Sequence, residues 1–230
     1  MADDFAAQVS GVGALAEPAR RDLYLFVVAQ PEPVSRDQAA AGVGLPRHTA
    51  KFHLDRLVDE GLLETEFRRL SGRTGPGAGR PAKLYRRSGR QVSVQLPERR
   101  YDLAGQILAK ALEDAAREGR PVLESLRDAA AGAGRDLAAE PAADPADAPE
   151  ALVRVAETLS AQGYEPRIQD GDVVLANCPF HALAREHTEL VCGMNHDVIN
   201  ALLDELGVPG VTARLDPAPG RCCVTLGAAG

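Results

Sequence analysis

A chain of 230 residues with 45% hydrophobic and 26% charged residues has the composition of a globular protein and the length of two small domains, and it is not disordered throughout. Aromatic residues make up 4% and Trp is absent, so the cores are expected to be aliphatic, rich in Ala, Leu and Val. The net charge of -7 hides a division: counted along the sequence, residues 1–100 hold 16 Lys and Arg against 12 Asp and Glu, whereas residues 101–230 hold 10 against 21.

The first stretch, "MADDFAAQVSG", has no basic segment ahead of an apolar run, and no apolar stretch approaches the roughly 18 residues of a membrane span. A cytoplasmic protein with no membrane partner is expected. In that reducing compartment the four cysteines, all in the last quarter of the chain, point to metal binding or thiol reactivity rather than disulfides.

In "GALAEPARRDLYLFVVAQ", Leu15, Ala19, Leu23, Phe26 and Val27 recur near the helical period, predicting a helix from about Pro18 to Ala29. Ser35 offers an N-cap to a short helix over "RDQAAAGVG", which Gly42 and Gly44 close. A third helix follows within "LPRHTAKFHLDRLVDEGLL", where Pro46 suits the first turn and Ala50, Leu54, Leu57 and Val58 form the inward stripe. Arg47, His48, Lys51 and Phe52 face the other way. Two helices joined by a short glycine-containing turn, the second polar and basic at its start, have the layout of a helix-turn-helix whose recognition helix enters a DNA major groove.

The segment "LLETEFRRLSGRTGPGAGRPAKLYRRS" then reads as strand, glycine-rich tip and strand, and residues 65–90 hold eight basic residues against one acid. A basic hairpin directly after a recognition helix is a wing, able to lay Arg73, Arg80 and Lys83 along a phosphate backbone. Beyond it, "SVQLPERRYDLAGQILAKALEDAAREG" carries Leu103, Ile107, Leu108 and Leu112 at helical intervals up to a break at Pro121. Because helix-turn-helix operators are commonly two-fold related, this helix is expected to serve a homodimer. "AAAGAGRDLAAEPAADPADAPE" reads as a frayed helix end and linker.

The last part opens with a helix at "EALVRVAETLSAQG", then strands "YEPRIQ" and "GDVVLAN", then the mostly helical "NCPFHALAREHTELVCGMN", a helix "HDVINALLDELG", and strands "VTARLD" and "RCCVTLG". Cys178 is expected where a strand ends and a helix begins, Cys192 in a break between helical segments, and Cys222 and Cys223 at the start of the last strand. Thiolates and imidazoles suit zinc and iron-sulfur clusters. Structural zinc commonly uses a tight C-x2-4-C knuckle, whereas thirteen residues separate Cys178 from Cys192 and twenty-nine separate Cys192 from Cys222. The C-x2-H pair of Cys178 and His181 keeps a zinc site of Cys178, His181, Cys192 and Cys222 open, while wide, irregular spacing suits an exchangeable cluster better. Strand alternation expects Cys222 and Cys223 to face opposite sides and not to share one metal. A Cys–His thiol enzyme, with Cys178 as nucleophile and His181 or His187 as base, is the reading from another class. No oxyanion motif, phosphate loop or carboxylate pair accompanies it, so no enzymatic activity is expected.

The stretches "LAEPARRDLYLFV", "PVSRDQAAAGVGLPRHTAKFHLDRLVDEGLL" and "GRPAKLYR" resemble the winged-helix domain of ArsR-like bacterial transcriptional regulators, and the C-terminal pattern resembles the SufR-type iron-sulfur regulators. The resemblance runs from about residue 14 to the end and is weakest between 115 and 148. It implies a dimeric repressor bound to double-stranded operator DNA, with a 4Fe-4S cluster on Cys178, Cys192 and Cys222. It also favours Cys222 over Cys223, although Val224 stands where the family has an aromatic residue. His181 is then the first candidate for a fourth ligand, followed by His187, Cys223 or a non-protein ligand. A regulator sensing zinc or thiol oxidation is the alternative.

The resulting expectation is an α+β protein in three parts: a winged helix-turn-helix DNA-binding domain (1–92), a helical dimerisation region and linker (93–148), and a small α+β sensing domain carrying the cysteines (149–230).

Overall fold

The computed structural model describes residues 2–69, 81–139, 151–169, 171–208 and 210–228. The chain divides into two compact units, Met1–Val94 and Gln95–Gly230.

The first unit contains α1 (Ala2–Ala14), α2 (Pro18–Val28), β1 (Val34–Ser35), α3 (Arg36–Val43), α4 (Arg47–Asp59), β2 (Leu63–Arg68) and β3 (Ala82–Arg87). Helix α1 was not expected from the sequence. Its acidic start and two glycines give a weak helical signal, and it packs through Ala14 while Phe5, Val9 and Val12 stay exposed. Helix α2 starts as expected, with Pro18 in its first turn and the Glu17 carboxylate accepting from Arg20 N at 2.7 Å. Ser35 and Gln38 form a reciprocal capping box at the start of α3. At its other end Gly44 has φ 71°, a conformation that glycine adopts without steric cost, and the chain turns there into α4. Leu23, Leu54 and Leu57 are fully buried, each contributing about 1.5–3 kcal/mol, and lock the three helices together. Strand β3 lies between β1 and β2, antiparallel to both, with Val34 opposite Tyr85 and Phe67 opposite Lys83.

The second unit contains α5 (Tyr101–Glu118), α6 (Val122–Ala139), α7 (Ala151–Ala161), β4 (Pro166–Gln169), β5 (Asp172–Leu175), α8 (His181–Glu186), α9 (Thr188–Glu205), β6 (Val211–Leu215) and β7 (Val224–Ala228). The four strands form an antiparallel sheet in the order β4-β5-β7-β6. Helix α9 is the hub. Val191, Met194, Val198 and Leu202 pack with α5 and α6, while Ile199 and Leu203 pack with α7 and the sheet.

Three expectations are corrected here. "AAAGAGRDLAA" is not a frayed end: it is the second half of α6, where Ala129, Ala130, Gly134 and Leu137 are buried. Its small residues, read as linker composition, instead allow α6 and α9 to approach closely. Cys192 is not in a helix break but in the second turn of α9, the break lying at His187. Because α9 is buried on two sides it shows no single apolar stripe, and periodicity alone divides it in two. Cys222 and Cys223 lie just before β7, which starts at Val224, and not within it. Of the α5 residues chosen by period, Ile107 is buried, Leu103 and Leu108 are partly buried and Leu112 is exposed. Among the described residues, no helix is long and apolar enough to cross a membrane.

Candidate DNA-binding face and thiol site

On α4 the residues Arg47, His48, Lys51 and Phe52 are all exposed, Phe52 at 64%, while Ala50, His53, Leu54 and Leu57 are buried on the opposite side. The helix therefore presents a cationic, partly aromatic surface with its apolar stripe fully used in the core.

The charges on that surface are organised by a residue that sequence reading missed. Asp55 accepts hydrogen bonds from Lys51 Nζ at 2.8 Å, from Lys83 Nζ of β3 at 2.7 Å and from Tyr85 Oη at 3.2 Å. Although partial burial opposes ionisation, the Lys51 and Lys83 ammonium groups hold the Asp55 carboxyl at about 2. Burial, then the Asp55 charge, push the Tyr85 hydroxyl up to about 12. Lys51 and Asp55 stand four apart, a helical ion-pair spacing visible in the sequence; the wing partner 28 residues on is not. Arg47 Nη2 lies 3.3 Å from Asp37 at the start of α3. Both groups are well exposed, so this pair is a weak tie that a phosphate can displace. On the wing, Arg86 pairs with Glu64 across the strands at 2.7 Å. Arg73 and Arg80 lie outside the described residues.

In the second unit all four cysteines are free. Cys178 follows β5, Cys192 faces inward from α9, and Cys222 and Cys223 lie on the approach to β7. The thiols of Cys178 and Cys222 act on each other's protonation, as Cys223 does on that of Cys192. The two pairs are also in electrostatic contact, Cys178 acting on Cys192 and Cys223 on Cys222. Three segments far apart in sequence thus bring four thiols together, at a point where Cys178 touches both the helical core and the sheet core. Among the described residues, no three His, Cys, Asp or Glu side chains stand ready-spaced around a metal ion.

Their protonation follows from their surroundings. The Cys222 hydrogen bond draws the Cys178 thiol down, helped by the Phe180 N–H and the Arg99 charge, against the effect of burial. Cys222 is pushed up, by Cys178 first and then by burial. Burial, then Cys223, push Cys192 up to about 12. The Cys222 sulfur also accepts from Asn195 Nδ2 at 3.4 Å and from Val224 N at 3.5 Å. His181 is exposed at the first position of α8 and His187 is exposed at the junction of α8 and α9.

The loop holding Cys178 is tied to the first residues of the second unit. Arg99 Nη1 donates to Cys178 O at 3.1 Å and to the side-chain oxygen of Asn177. Asn177, buried, donates through Nδ2 to Glu98 O at 3.1 Å and Gly163 O at 2.7 Å. Arg100 N donates to Pro179 O at 3.1 Å, and Ala182 N donates to Tyr101 Oη at 3.3 Å. None of these partners was legible in the sequence, since an Asn beside a Cys is an ordinary dipeptide.

Residues 15–66 match the sequence model of a family described as a helix-turn-helix domain. No curated protein and no solved structure matches the chain.

Proposed function

Starting from a chain whose first unit carries the helix-turn-helix domain of a DNA-binding transcriptional regulator, we propose that it is a homodimeric repressor whose operator binding is controlled by an iron-sulfur cluster held by Cys178, Cys192 and Cys222. One observation carries this reading: four free thiols from three segments are gathered in the second unit. The donor set fits the group, since iron-sulfur clusters are held by cysteine thiolates. Cys223, which acts on the protonation of Cys192, supplies the fourth thiolate in preference to the exposed His181. When bound, the cluster supplies a redox- and oxygen-sensitive group whose presence requires all its thiols as thiolates.

A free-thiol switch needs an accessible, readily ionised thiol. Cys192 is pushed up by burial and then Cys223, and Cys222 by Cys178 and then burial, so of these three only Cys178 is drawn down. A thiol enzyme would need a histidine beside Cys178, and His181 and His187 are both exposed.

The route to the DNA-binding unit is the segment 98–101. It follows the end of the first unit at Val94 by a few residues, and Arg99, Asn177 and Arg100 bind it to the loop of Cys178. A ligand that alters this loop acts on the chain where it enters α5, and its effect on operator affinity is set by its differential interaction with the two states, typically about 1–3 kcal/mol. Dimerisation is supported by exposed apolar side chains: Phe5, Val9 and Val12 on α1, and Leu112 on α5.

Iron, acid-labile sulfide and zinc content, with a visible spectrum, test the reading on protein purified without oxygen beside Cys178→Ser/Cys192→Ser. Equal iron and sulfide with broad visible absorption, both lost in the variant, support it. Zinc alone replaces the cluster with a four-thiolate zinc site, and no metal in either protein overturns it.

A further inference from the structure

We infer that Asn195, oriented by Tyr164, is the positioning residue that tunes the Cys222 sulfur; this rests on the reading of Cys222 as a cluster ligand.

Asn195 is 1% exposed and Tyr164 4% exposed, so neither meets solvent. The Tyr164 hydroxyl donates to Asn195 Oδ1, which fixes which end of the amide is which, and Nδ2 is left directed at Cys222 Sγ, 3.4 Å away. Val224 N reaches the same sulfur at 3.5 Å. A neutral thiol is a weak acceptor, and a buried amide N–H spent on one is poorly compensated. A ligand thiolate carries negative charge and accepts such bonds strongly. Two N–H donors converging on one buried sulfur, one of them held by a tyrosine from a different segment, form a setting built for the charged sulfur.

Donors to a ligand sulfur draw electron density from it and stabilise the reduced cluster, one of the means by which a protein sets reduction potential. Asn195 and Tyr164 therefore raise the midpoint potential and set the oxidant strength at which the regulator responds. Their role is distinct from holding the group, which the cysteines do.

The test uses full-length protein loaded without oxygen: wild type, Asn195→Leu and Tyr164→Phe. Iron and sulfide content is measured first, then midpoint potential by redox titration and iron–sulfur stretching frequencies by resonance Raman. The expected result is wild-type loading in both variants, a midpoint potential shifted to more negative values in Asn195→Leu, and a smaller shift of the same sign in Tyr164→Phe, where the amide is freed to turn. Tyr164→Phe keeps the ring, so it reports even if Asn195→Leu folds poorly. Loaded variants with unchanged potentials and frequencies overturn the role of Asn195. A wild-type protein that takes up no iron or sulfide overturns the cluster reading itself, and the role of Asn195 with it.

Discussion

Asp55 of the recognition helix accepts a hydrogen bond from Lys83 Nζ of the second wing strand at 2.7 Å. The same carboxylate holds Lys51, so two cations expected to meet phosphate are neutralised in part by one internal acid. Asp55→Asn releases both. Its affinity for a non-operator duplex is expected to rise, and the log–log salt slope to steepen by up to about 0.9 for each lysine freed. Fluorescence anisotropy over a salt series measures both; an unchanged slope contradicts this account of Asp55.

The same network predicts a pH dependence of stability. The folded-state value of Asp55 is about 2, below the roughly 3.9 of an unfolded chain, so its contribution is fully present above pH about 4 and is lost as pH falls toward 2. The Tyr85 hydroxyl is raised to about 12, above the unfolded value of about 10, so its contribution is present below pH about 10 and is lost as pH rises toward 12. Denaturant midpoints should decline in both windows, and Asp55→Asn should flatten the acid one.

Phe52 is 64% exposed on the same helix. Phe52→Ala should leave thermal stability almost unchanged while weakening specific operator binding by about 1–3 kcal/mol, the scale of one base-edge contact. Equal losses on operator and non-operator DNA would assign Phe52 no part in sequence reading.

Gly134 is a point of close approach between α6 and α9. A Cβ there would overlap the Val198 carbonyl oxygen and lie 2.9 Å from Ala201 Cβ. Gly134→Ala should destabilise the second unit by about 1–3 kcal/mol through overpacking, read as a lower melting temperature. An unchanged melting temperature would mean that α6 and α9 pack less closely than described.

Much of the first unit was legible in the sequence because its signals are local: the cap at Ser35, the glycine at 44, the stripe of Ala50, Leu54 and Leu57, and the basic hairpin. The second unit was less so. Its helix α9 is buried on two sides and so lost its period, and the alanines and glycines of α6 read as linker when they serve close packing. The cysteines were singled out by their chemistry, whereas the place of Cys223 beside Cys192 comes from the fold. Asn177, Asn195 and Tyr164 gain meaning only from partners that the fold brings from distant positions.

Asn177 joins the loop of Cys178 to the entry of α5. In Asn177→Ala, iron and sulfide content should stay at the wild-type level while the ratio of operator affinities between loaded and cluster-free protein falls toward one. A ratio equal to that of wild type would place the coupling elsewhere.

The central claim is that the state of the thiol site sets DNA affinity. Its most direct test is the affinity of one preparation, before and after removal of its cluster under anaerobic conditions, for a duplex selected from random sequence, at one salt concentration. The account predicts a difference between about 5- and 150-fold. Equal affinities for the loaded and cluster-free protein would contradict it.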